Sequence, residues 1–144
     1  MILNIIKYGD KDFGKLKLKN VDVKKENPFL QKLISDMFET LDFYNKNGLS
    51  APQVGHNLNF FVVKTKDLQE VFINPEIKIE GLQIQIKDSC LSFPNMEFAV
   101  DRYNIIKIKY FDKNWTYRIM EYKDNIANII QHEYDHIKGK LIID

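Results

Sequence analysis

The sequence predicts an α+β fold in which antiparallel and mixed β-strands surround a central C-terminal helix, with a second helix near the N-terminus. Residues 28–46 and 125–138 have helical patterns, whereas the chain between them is dominated by β-branched and alternating apolar segments. The length of 144 residues, without a linker, repeat or low-complexity segment, predicts a single domain over residues 1–144.

The composition narrows the class of protein. Hydrophobic residues make up 44% of the chain and charged residues 28%, as in an ordinary globular protein. A net charge of +1 gives no electrostatic basis for direct nucleic-acid binding, and the single cysteine, Cys90, excludes an internal disulfide. The N-terminus lacks the pattern of a signal peptide, and no apolar run is long enough to cross a bilayer. We therefore expect a cytoplasmic protein with no membrane contact.

The N-terminal third predicts an extended arm followed by a helix. Residues 2–8 are β-branched and favour a strand, and the lysines at 15, 17 and 19 alternate with leucines, as on the exposed side of an edge strand. Asn27 followed by Pro28 predicts a helix N-cap and first helical position. Apolar residues repeat at helical spacing to about Lys46, and Asn47 with Gly48 predicts the end of the helix.

The middle of the chain predicts strands and hairpins. Residues 60–63 and 71–73 are apolar and β-branched, and Asn74-Pro75 should stop the second of these strands. Residues 77–86 alternate around Glu80-Gly81, which predicts a half-buried strand or a hairpin there. Strands are also expected at 98–100 and 105–111, with a hairpin turn at 112–114 before a strand at 115–122.

The C-terminal helix should span residues 125–138, with Asp124 as its cap and Gly139 as its stop. The pattern of residues 141–143 then predicts a strand that pairs with the sheet.

Inside the helix, Gln131 is followed by a His-Glu-x-x-His pentad from His132 to His136. Because positions i and i+4 lie on one helical face, these two imidazoles can bind a single divalent metal, and Glu133 can reach a metal-bound water as a base. The same residue types also occur on ordinary charged helix surfaces.

A catalytic metal site usually has three protein ligands and one open position, so a third ligand must come from elsewhere in the chain. His56 lies in a polar turn, where most histidines are solvated, and only Asp144 supplies a carboxylate after the pentad. Cys90 follows a β segment and is the best remaining candidate, although a lone cysteine is more often a small buried apolar residue.

Three ordered motifs make the chain resemble the peptide deformylase family. Residues 46–53, Lys-Asn-Gly-Leu-Ser-Ala-Pro-Gln, are similar to the family's G-x-G-L-A-A-x-Q, and residues 88–92, Asp-Ser-Cys-Leu-Ser, are similar to E-G-C-L-S. The third motif, Q-H-E-x-D-H, is matched by residues 131–136. The resemblance covers most of the chain and is far more specific than the pentad alone.

The resemblance implies a metal centre and a reaction. Carried over residue by residue, the metal ligands are Cys90, His132 and His136, which makes the C-terminal helix the metal-binding one. One divalent ion per chain is expected, with ferrous iron favoured and zinc, nickel or cobalt accepted. Glu133 is the general base and acid, while Gln53 and the Leu91 backbone N–H stabilise the oxyanion. The implied reaction releases formate from N-formylmethionyl peptides or nascent chains.

Substrate contacts are expected around this centre, because strand alternation and helical spacing place further side chains beside the ligands. The expected substrate-binding residues are Gly48, Leu49, Ile86, Asp88, Asn128 and Ile129. Asn128 departs from the family, in which an apolar residue is more usual. Asp88 replaces the family's glutamate, and Arg102 matches the arginine that pairs with it.

Further expectations concern the partner and the alternatives. Many family members continue into a C-terminal helix or tail, which in some bacteria holds the enzyme at the ribosome; because this chain ends at Asp144, we expect no stable ribosome association. Short forms of this kind resemble divergent and phage-borne relatives, so the expected location is the cytoplasm of a bacterial or phage-infected cell.

Two other hypotheses about the function remain at this point. The first is a His-Glu-x-x-His metallopeptidase with a third ligand other than Cys90, and the second is a non-catalytic deformylase-like binding protein.

Overall fold

The computed structural model describes residues 1–144 and confirms the α+β prediction, with two helices and one antiparallel sheet. The five strands pair in the order β1-β2-β3-β4-β5, and the only parallel pairing is an isolated bridge between Val21 and Leu58. Neither helix is long and apolar enough to cross a membrane. The helices and strands are α1 Leu30–Tyr44, β1 Gly48–Ser50, β2 Phe60–Lys64, β3 Gln69–Cys90, β4 Phe93–Phe111, β5 Tyr117–Lys123 and α2 Asp124–Ile137.

β2 explains how the two helices share one sheet. Side chains of Phe60 and Val62 belong to the apolar cluster that contains Leu30, Met37 and other α1 residues. Phe61 and Val63 belong to a second cluster with Ala127 and Ile130 of α2, as well as other residues of both elements. Because successive side chains in a strand point to opposite faces, α1 and α2 cover opposite faces of the sheet. This is why the strand is continuously apolar rather than alternating.

The predicted first helix is correct in its core and wrong at both ends. Asn27 is not the N-cap: its Oδ1 accepts a hydrogen bond from the Phe29 N–H in a local turn, and the helix begins at Leu30. The helix ends at Tyr44, because Asn45 takes a left-handed conformation with φ of 53°. Gly48 therefore begins β1 instead of ending the helix.

The predicted breaks in the middle of the chain are bulges within one long strand, β3. Asn74 does not stop the strand; it has φ of 50° at a register shift, and its side chain binds the Val23 backbone through both its oxygen and its nitrogen. Gly81, with φ of 75°, lies at a second register shift, so residues 77–86 form no hairpin. β3 and β4 instead pair along most of their length and meet at the turn after Cys90.

The predicted hairpin at 112–114 is confirmed and connects β4 to β5. The buried Asp112 carboxylate accepts hydrogen bonds from the backbone N–H groups of Asn114 and Thr116 and from Nε of Arg118. These bonds occupy both carboxylate oxygens and fix the turn.

The chain ends differ from the sequence predictions. Residues 2–8 form no strand of the sheet, and the lysine-rich segment contains a short 3-10 helix, Phe13–Lys17, instead of an edge strand. Asp124 is the first residue of α2 and provides no side-chain cap, whereas Gly139 takes the left-handed conformation expected of a helix stop. Residues 141–143 form a turn rather than a strand, although Leu141 is buried in a small cluster that also contains Cys90.

Candidate active site

A cleft lies between one face of α2, the end of β3 and the segment that leads into β1. The turn between β3 and β4, Leu91-Ser92, places Cys90 at one end of this cleft. The opposite wall comes from α2, where residues 125, 128, 129 and 132 follow helical spacing and all line the cleft. The long hairpin thus brings the second sequence motif against the third.

Three possible metal ligands converge here. Cys90, His132 and His136 are buried, and their ligand atoms all lie within 4.8 Å of one another. The Sγ of Cys90 lies 3.3 Å from Nε2 of His136. Tetrahedral zinc with bonds of about 2.3 Å to sulfur and about 2.0–2.1 Å to nitrogen would separate these atoms by about 3.6 Å. His56 is exposed and takes no part in this cluster.

A chain of polar contacts orients His132. Its Nδ1 lies 2.8 Å from Oδ2 of Asp88, which leaves Nε2 directed to the other ligands. Burial alone would raise the pKa of Asp88, but the hydrogen bond to His132 and the nearby charges hold that pKa below its usual value. Arg102 lies 3.4 Å from Asp88, which agrees with the expected pair, and it also binds Asp135 at 3.2 Å. Asp88 therefore orients His132, one of the possible ligands, in addition to lining the cleft.

The two histidines differ in their pKa values. Burial alone would lower the pKa of His132, but the charge of Glu133 and the hydrogen bond to Asp88 raise it well above its usual value. His136 instead favours the neutral imidazole. Burial, followed by the charges of His132 and Arg102, lowers the pKa of His136 well below its usual value. Its Nδ1 is buried and has no hydrogen-bond partner within the protein. A neutral ring with a free Nε2 lone pair is the form that binds a cation.

Glu133 is buried beside the histidines, with one carboxylate oxygen 3.9 Å from Nε2 of His132. Burial raises the pKa of Glu133 to about 7. Its other oxygen, Oε1, is buried without a hydrogen-bond partner in the protein. Gly48 makes room for this carboxylate, because a Cβ at Gly48 would lie 2.7 Å from Oε2 of Glu133. A carboxylate with this pKa can both accept and return a proton near neutral pH.

Gln53 is fixed with its amide nitrogen toward the thiol. Its Oε1 accepts hydrogen bonds from the backbone N–H and the hydroxyl of Ser50, while Nε2 lies 3.2 Å from Oγ of Ser92 and 3.5 Å from Sγ of Cys90. Gln53 is 1% exposed, so it is not a solvated loop residue. Ser50 and Ser92 were missed as supporting residues, although the S-x-x-Q spacing from Ser50 to Gln53 is a capping-box signature and was visible in the sequence.

The other predicted site residues divide into two groups. Gly48, Ile86, Asp88, Leu91, Asn128 and Ile129 all line the cleft. The Leu91 backbone N–H donates to no other group of the protein, so it is free to bind a ligand. Leu49 does not line the cleft: its side chain is fully buried in the α1 cluster, because alternation in β1 turns it to the sheet face opposite α2. Only its backbone could contact a substrate.

A thiol and two helical imidazoles beside a buried glutamate, with the free backbone N–H of Leu91 in the same cleft, define a metallohydrolase of the His-Glu-x-x-His class. A family model described as Polypeptide deformylase matches residues 2–144. The chain belongs to the peptide deformylase family and is therefore an enzyme that deformylates N-formyl peptides.

Curated relatives support this assignment across the whole chain. A peptide deformylase of Karelsulcia muelleri is 39% identical over 150 residues, covering 100% of this chain and 78% of the relative. A peptide deformylase of Cytophaga hutchinsonii is 38% identical over 153 residues and is covered to 82%.

Solved structures agree with the fold. Peptide deformylase from Thermotoga maritima superposes with a TM-score of 0.93 at 36% identity, covering 100% of this chain and 97% of that one. Peptide deformylase from Synechococcus elongatus, in complex with actinonin, gives 0.91 at 31% identity, with 99% and 77% covered. A probable peptide deformylase from Synechococcus phage S-SSM7 gives 0.89 at 29% identity, with 99% and 98% covered.

Proposed function

We propose that this chain hydrolyses the formyl group of N-formylmethionyl peptides, using a divalent metal bound by Cys90, His132 and His136. The observation that carries the proposal is the convergence of these three donor atoms beside the buried Glu133. A peptide deformylase of Acinetobacter baumannii, 27% identical with a TM-score of 0.89, has been solved with Met-Ala-Ser bound. A formyl-methionyl peptide is the substrate that would leave such a peptide as its product.

The donor chemistry selects the kind of metal. One thiolate and two neutral imidazoles suit first-row transition ions, whereas magnesium and calcium prefer oxygen ligands. We infer one ion per chain, with ferrous iron as the native metal and zinc, nickel or cobalt as substitutes. When bound, the ion would polarise the formyl carbonyl and lower the pKa of a water molecule. The bond from His132 to Asp88 would hold that ligand in the required tautomer.

Glu133 is the proton carrier in this proposal. Its carboxylate takes a proton from the attacking water, whose oxygen bonds to the formyl carbon. It then gives the proton to the departing amine as the C–N bond breaks, so that formate and the free N-terminus leave. The pKa of about 7 supports both steps, because the group can exist in either form near neutral pH. Gly48 leaves room for it in this position, because a Cβ there would clash with Oε2.

Gln53 and Leu91 would stabilise the charge that develops on the formyl oxygen. The Gln53 amide nitrogen already lies beside the thiol, held there by Ser50, and the Leu91 N–H is free in the same cleft. Donors fixed in advance contribute more than mobile ones, because they need no reorganisation during the reaction. Removing one such donor costs about 10²–10³-fold in kcat in other hydrolases.

The substrate implies a place of action. Formyl-methionine marks the first residue of newly made bacterial proteins, so we place the enzyme in the cytoplasm of a bacterium or of a phage-infected host.

The test combines formate release with metal content. Wild-type protein loaded with Fe²⁺ without oxygen should release formate from formyl-Met-Ala, and Glu133→Ala should lose about 10²–10⁴-fold in kcat while retaining its metal. Wild-type protein that holds metal but releases no formate would refute the catalytic proposal and favour a binding protein.

Cys90→Ser tests the ligand set separately. We expect it to lose most of its metal affinity, because the thiolate supplies the only negative charge among the three ligands. Full metal occupancy in this variant would favour the metallopeptidase hypothesis, in which a residue other than Cys90 is the third ligand.

A further inference from the structure

Gln131, the residue before His132, is buried and binds a backbone group instead of lining the cleft. Its Oε1 accepts a hydrogen bond from the Tyr103 N–H at 2.9 Å, and its Nε2 donates to the Tyr103 carbonyl at 2.7 Å. Nε2 also donates at 3.0 Å to the carbonyl of Ala127, one turn earlier in α2. The Gln131 carboxamide therefore joins the helix to β4, and both of its polar atoms are paired.

This contact lies where β4 has lost its second neighbouring strand. β5 pairs with β4 only as far as Ile105, and β2 pairs with β3 only as far as Ile73. Residues 82–104, here called the ribbon, therefore form a two-stranded hairpin, which has little stability of its own. The other hydrogen bonds between α2 and the ribbon join side chains. Only the two from Gln131 to Tyr103 reach the backbone of the ribbon.

Arg102 precedes Tyr103 and connects the ribbon to the proposed metal site. Its guanidinium contacts Asp135 of α2 at 3.2 Å and Asp88 at 3.4 Å, and its Nε is buried without a partner. Ordinary N–H···O distances are about 2.7–3.2 Å, so a shift of β4 by about 0.5 Å would break these contacts. Asp88 in turn lies 2.8 Å from Nδ1 of His132. The orientation of the His132 ring therefore depends on where the β4 backbone lies.

We propose that Gln131 is a positioning residue for His132. Its carboxamide binds the free edge of β4 at Tyr103, as a neighbouring strand would, and so holds β4 against α2. Arg102 then reaches both carboxylates, and Asp88 keeps Nε2 of His132 directed to the other donor atoms. Gln131 itself belongs neither to the cleft lining nor to the donor cluster. The inference rests on the proposed metal site and specifies what holds one of its ligands in place.

The test measures metal affinity in Gln131→Met, which keeps an unbranched side chain of similar length but lacks the carboxamide. Co²⁺ is titrated in competition with a chelating dye, and the visible spectrum of the bound ion reports its coordination. We expect the Kd for Co²⁺ to rise about 10–100-fold with a changed spectrum, as when residues that orient metal ligands are lost elsewhere. In formate release from formyl-Met-Ala by the loaded variant, kcat should fall while KM stays within about twofold.

Asn74 provides a matched control, because its carboxamide makes the same pair of hydrogen bonds to the Val23 backbone, outside the cleft. Glycine is the suitable replacement, since Asn74 has φ of 50°. We expect Asn74→Gly and Gln131→Met both to unfold at lower urea concentration, but only Gln131→Met to change the affinity for Co²⁺ and its spectrum. Wild-type affinity and spectrum in Gln131→Met, or equal changes in both variants, would overturn the proposal.

A double-mutant cycle tests whether Gln131 acts through Arg102. Arg102→Lys keeps the positive charge but cannot replace the two-armed guanidinium contact. In this background, Gln131→Met should raise the Kd for Co²⁺ by less than about threefold, because the two residues act in one network. Effects that multiply would contradict the route through Arg102. If Gln131→Met does not fold, Gln131→Asn takes its place in both tests, because its shorter carboxamide cannot keep all three hydrogen bonds.

These measurements separate the positioning role from the proposed reaction, because Co²⁺ affinity is determined without substrate. Weaker Co²⁺ binding in Gln131→Met, with wild-type binding in Asn74→Gly, supports the positioning role even if the wild type releases no formate. Formate release by the wild type, together with unchanged Co²⁺ affinity in Gln131→Met, overturns the positioning role and leaves the reaction in place.

Discussion

Replacing Gly48 with alanine should displace the Glu133 carboxylate and so reduce deformylation far more than it reduces stability. A Cβ at this position would lie 2.7 Å from Oε2 of Glu133 and 3.0 Å from Cγ2 of Ile129. Ordinary contacts of carbon with other heavy atoms are about 3.5–4.0 Å, so one of these groups must move by about 0.5–1 Å. A misplacement of about 1 Å at a catalytic group can cost about 100-fold in rate.

We therefore expect kcat/KM on formyl-Met-Ala to fall about 100-fold in Gly48→Ala, measured by formate release from metal-loaded enzyme. Overpacking of this kind should lower the free energy of unfolding by only about 1–3 kcal/mol, measured by urea denaturation. Gly14→Ala is the matched control, because a Cβ there has no neighbour within 4 Å and its backbone is not in the left-handed region. Activity of Gly48→Ala within about threefold of wild type, in a folded and metal-loaded protein, would refute the assigned position of Glu133.

Three further predictions concern residues around and beyond the site. Ser50→Ala removes the hydroxyl donor to Gln53, so kcat should fall about tenfold with little change in metal content, as measured by formate release and metal analysis. Met37→Ala should lower the free energy of unfolding by about 2–5 kcal/mol in urea denaturation, because Met37 is completely buried in the α1 cluster. Asp112→Asn should cost about 1–2 kcal/mol of unfolding free energy at pH 7 by the same measurement, because it removes the charge that pairs with Arg118.

The pH dependence of the Asp112 effect has a defined sign. Burial alone would raise the pKa of Asp112, but the hydrogen bond from Arg118 and those from two backbone N–H groups outweigh it and hold the pKa below its usual value. A carboxyl whose pKa is lower in the folded state stabilises that state above the unfolded pKa, about 3.9, and loses this effect as the pH falls through the folded pKa. The difference between wild type and Asp112→Asn should therefore shrink below about pH 4.

Each of these predictions has a contrary outcome. A constant difference between wild type and Asp112→Asn from pH 7 to acid would contradict the role of the charge. Unchanged kcat in Ser50→Ala would mean that Gln53 either keeps its orientation without the hydroxyl or takes no part in the reaction. A loss below about 1 kcal/mol in Met37→Ala would show that the α1 cluster can collapse around the missing side chain.

The convergence of Cys90, His132 and His136 was predictable because local periodicity and ordered motifs both carry the information. The spacing of His132 and His136 depends only on helical geometry, which a short sequence fixes. Cys90 needed the family motif, since nothing local to a strand end indicates that it lies 3.3 Å from a histidine 46 positions away. The orientation of the Leu49 side chain, which is buried in the α1 cluster, could not be predicted, because the motif shows which residues occur together but not which sheet face each one meets.

The strand boundaries were harder to predict, because long-range pairing decided them. Asn74 and Gly81 are strong local signals for turns, yet both occupy positive-φ positions at register shifts within β3. The pairing of β3 with β4 continues past both, so the tertiary contacts override the local signal. The hairpin at Asp112 was predicted correctly because its own side chain fixes the turn.

The most direct test of the central claim is a metal titration of formate release. Apoprotein is supplied with Fe²⁺ without oxygen, and formate and free amine are measured after addition of formyl-Met-Ala. If Cys90, His132 and His136 hold one catalytic ion, activity should rise linearly to one ion per chain and then stop, with formate and amine produced in equal amounts. Bound metal at one ion per chain without formate, or activity that requires a second ion, would contradict it.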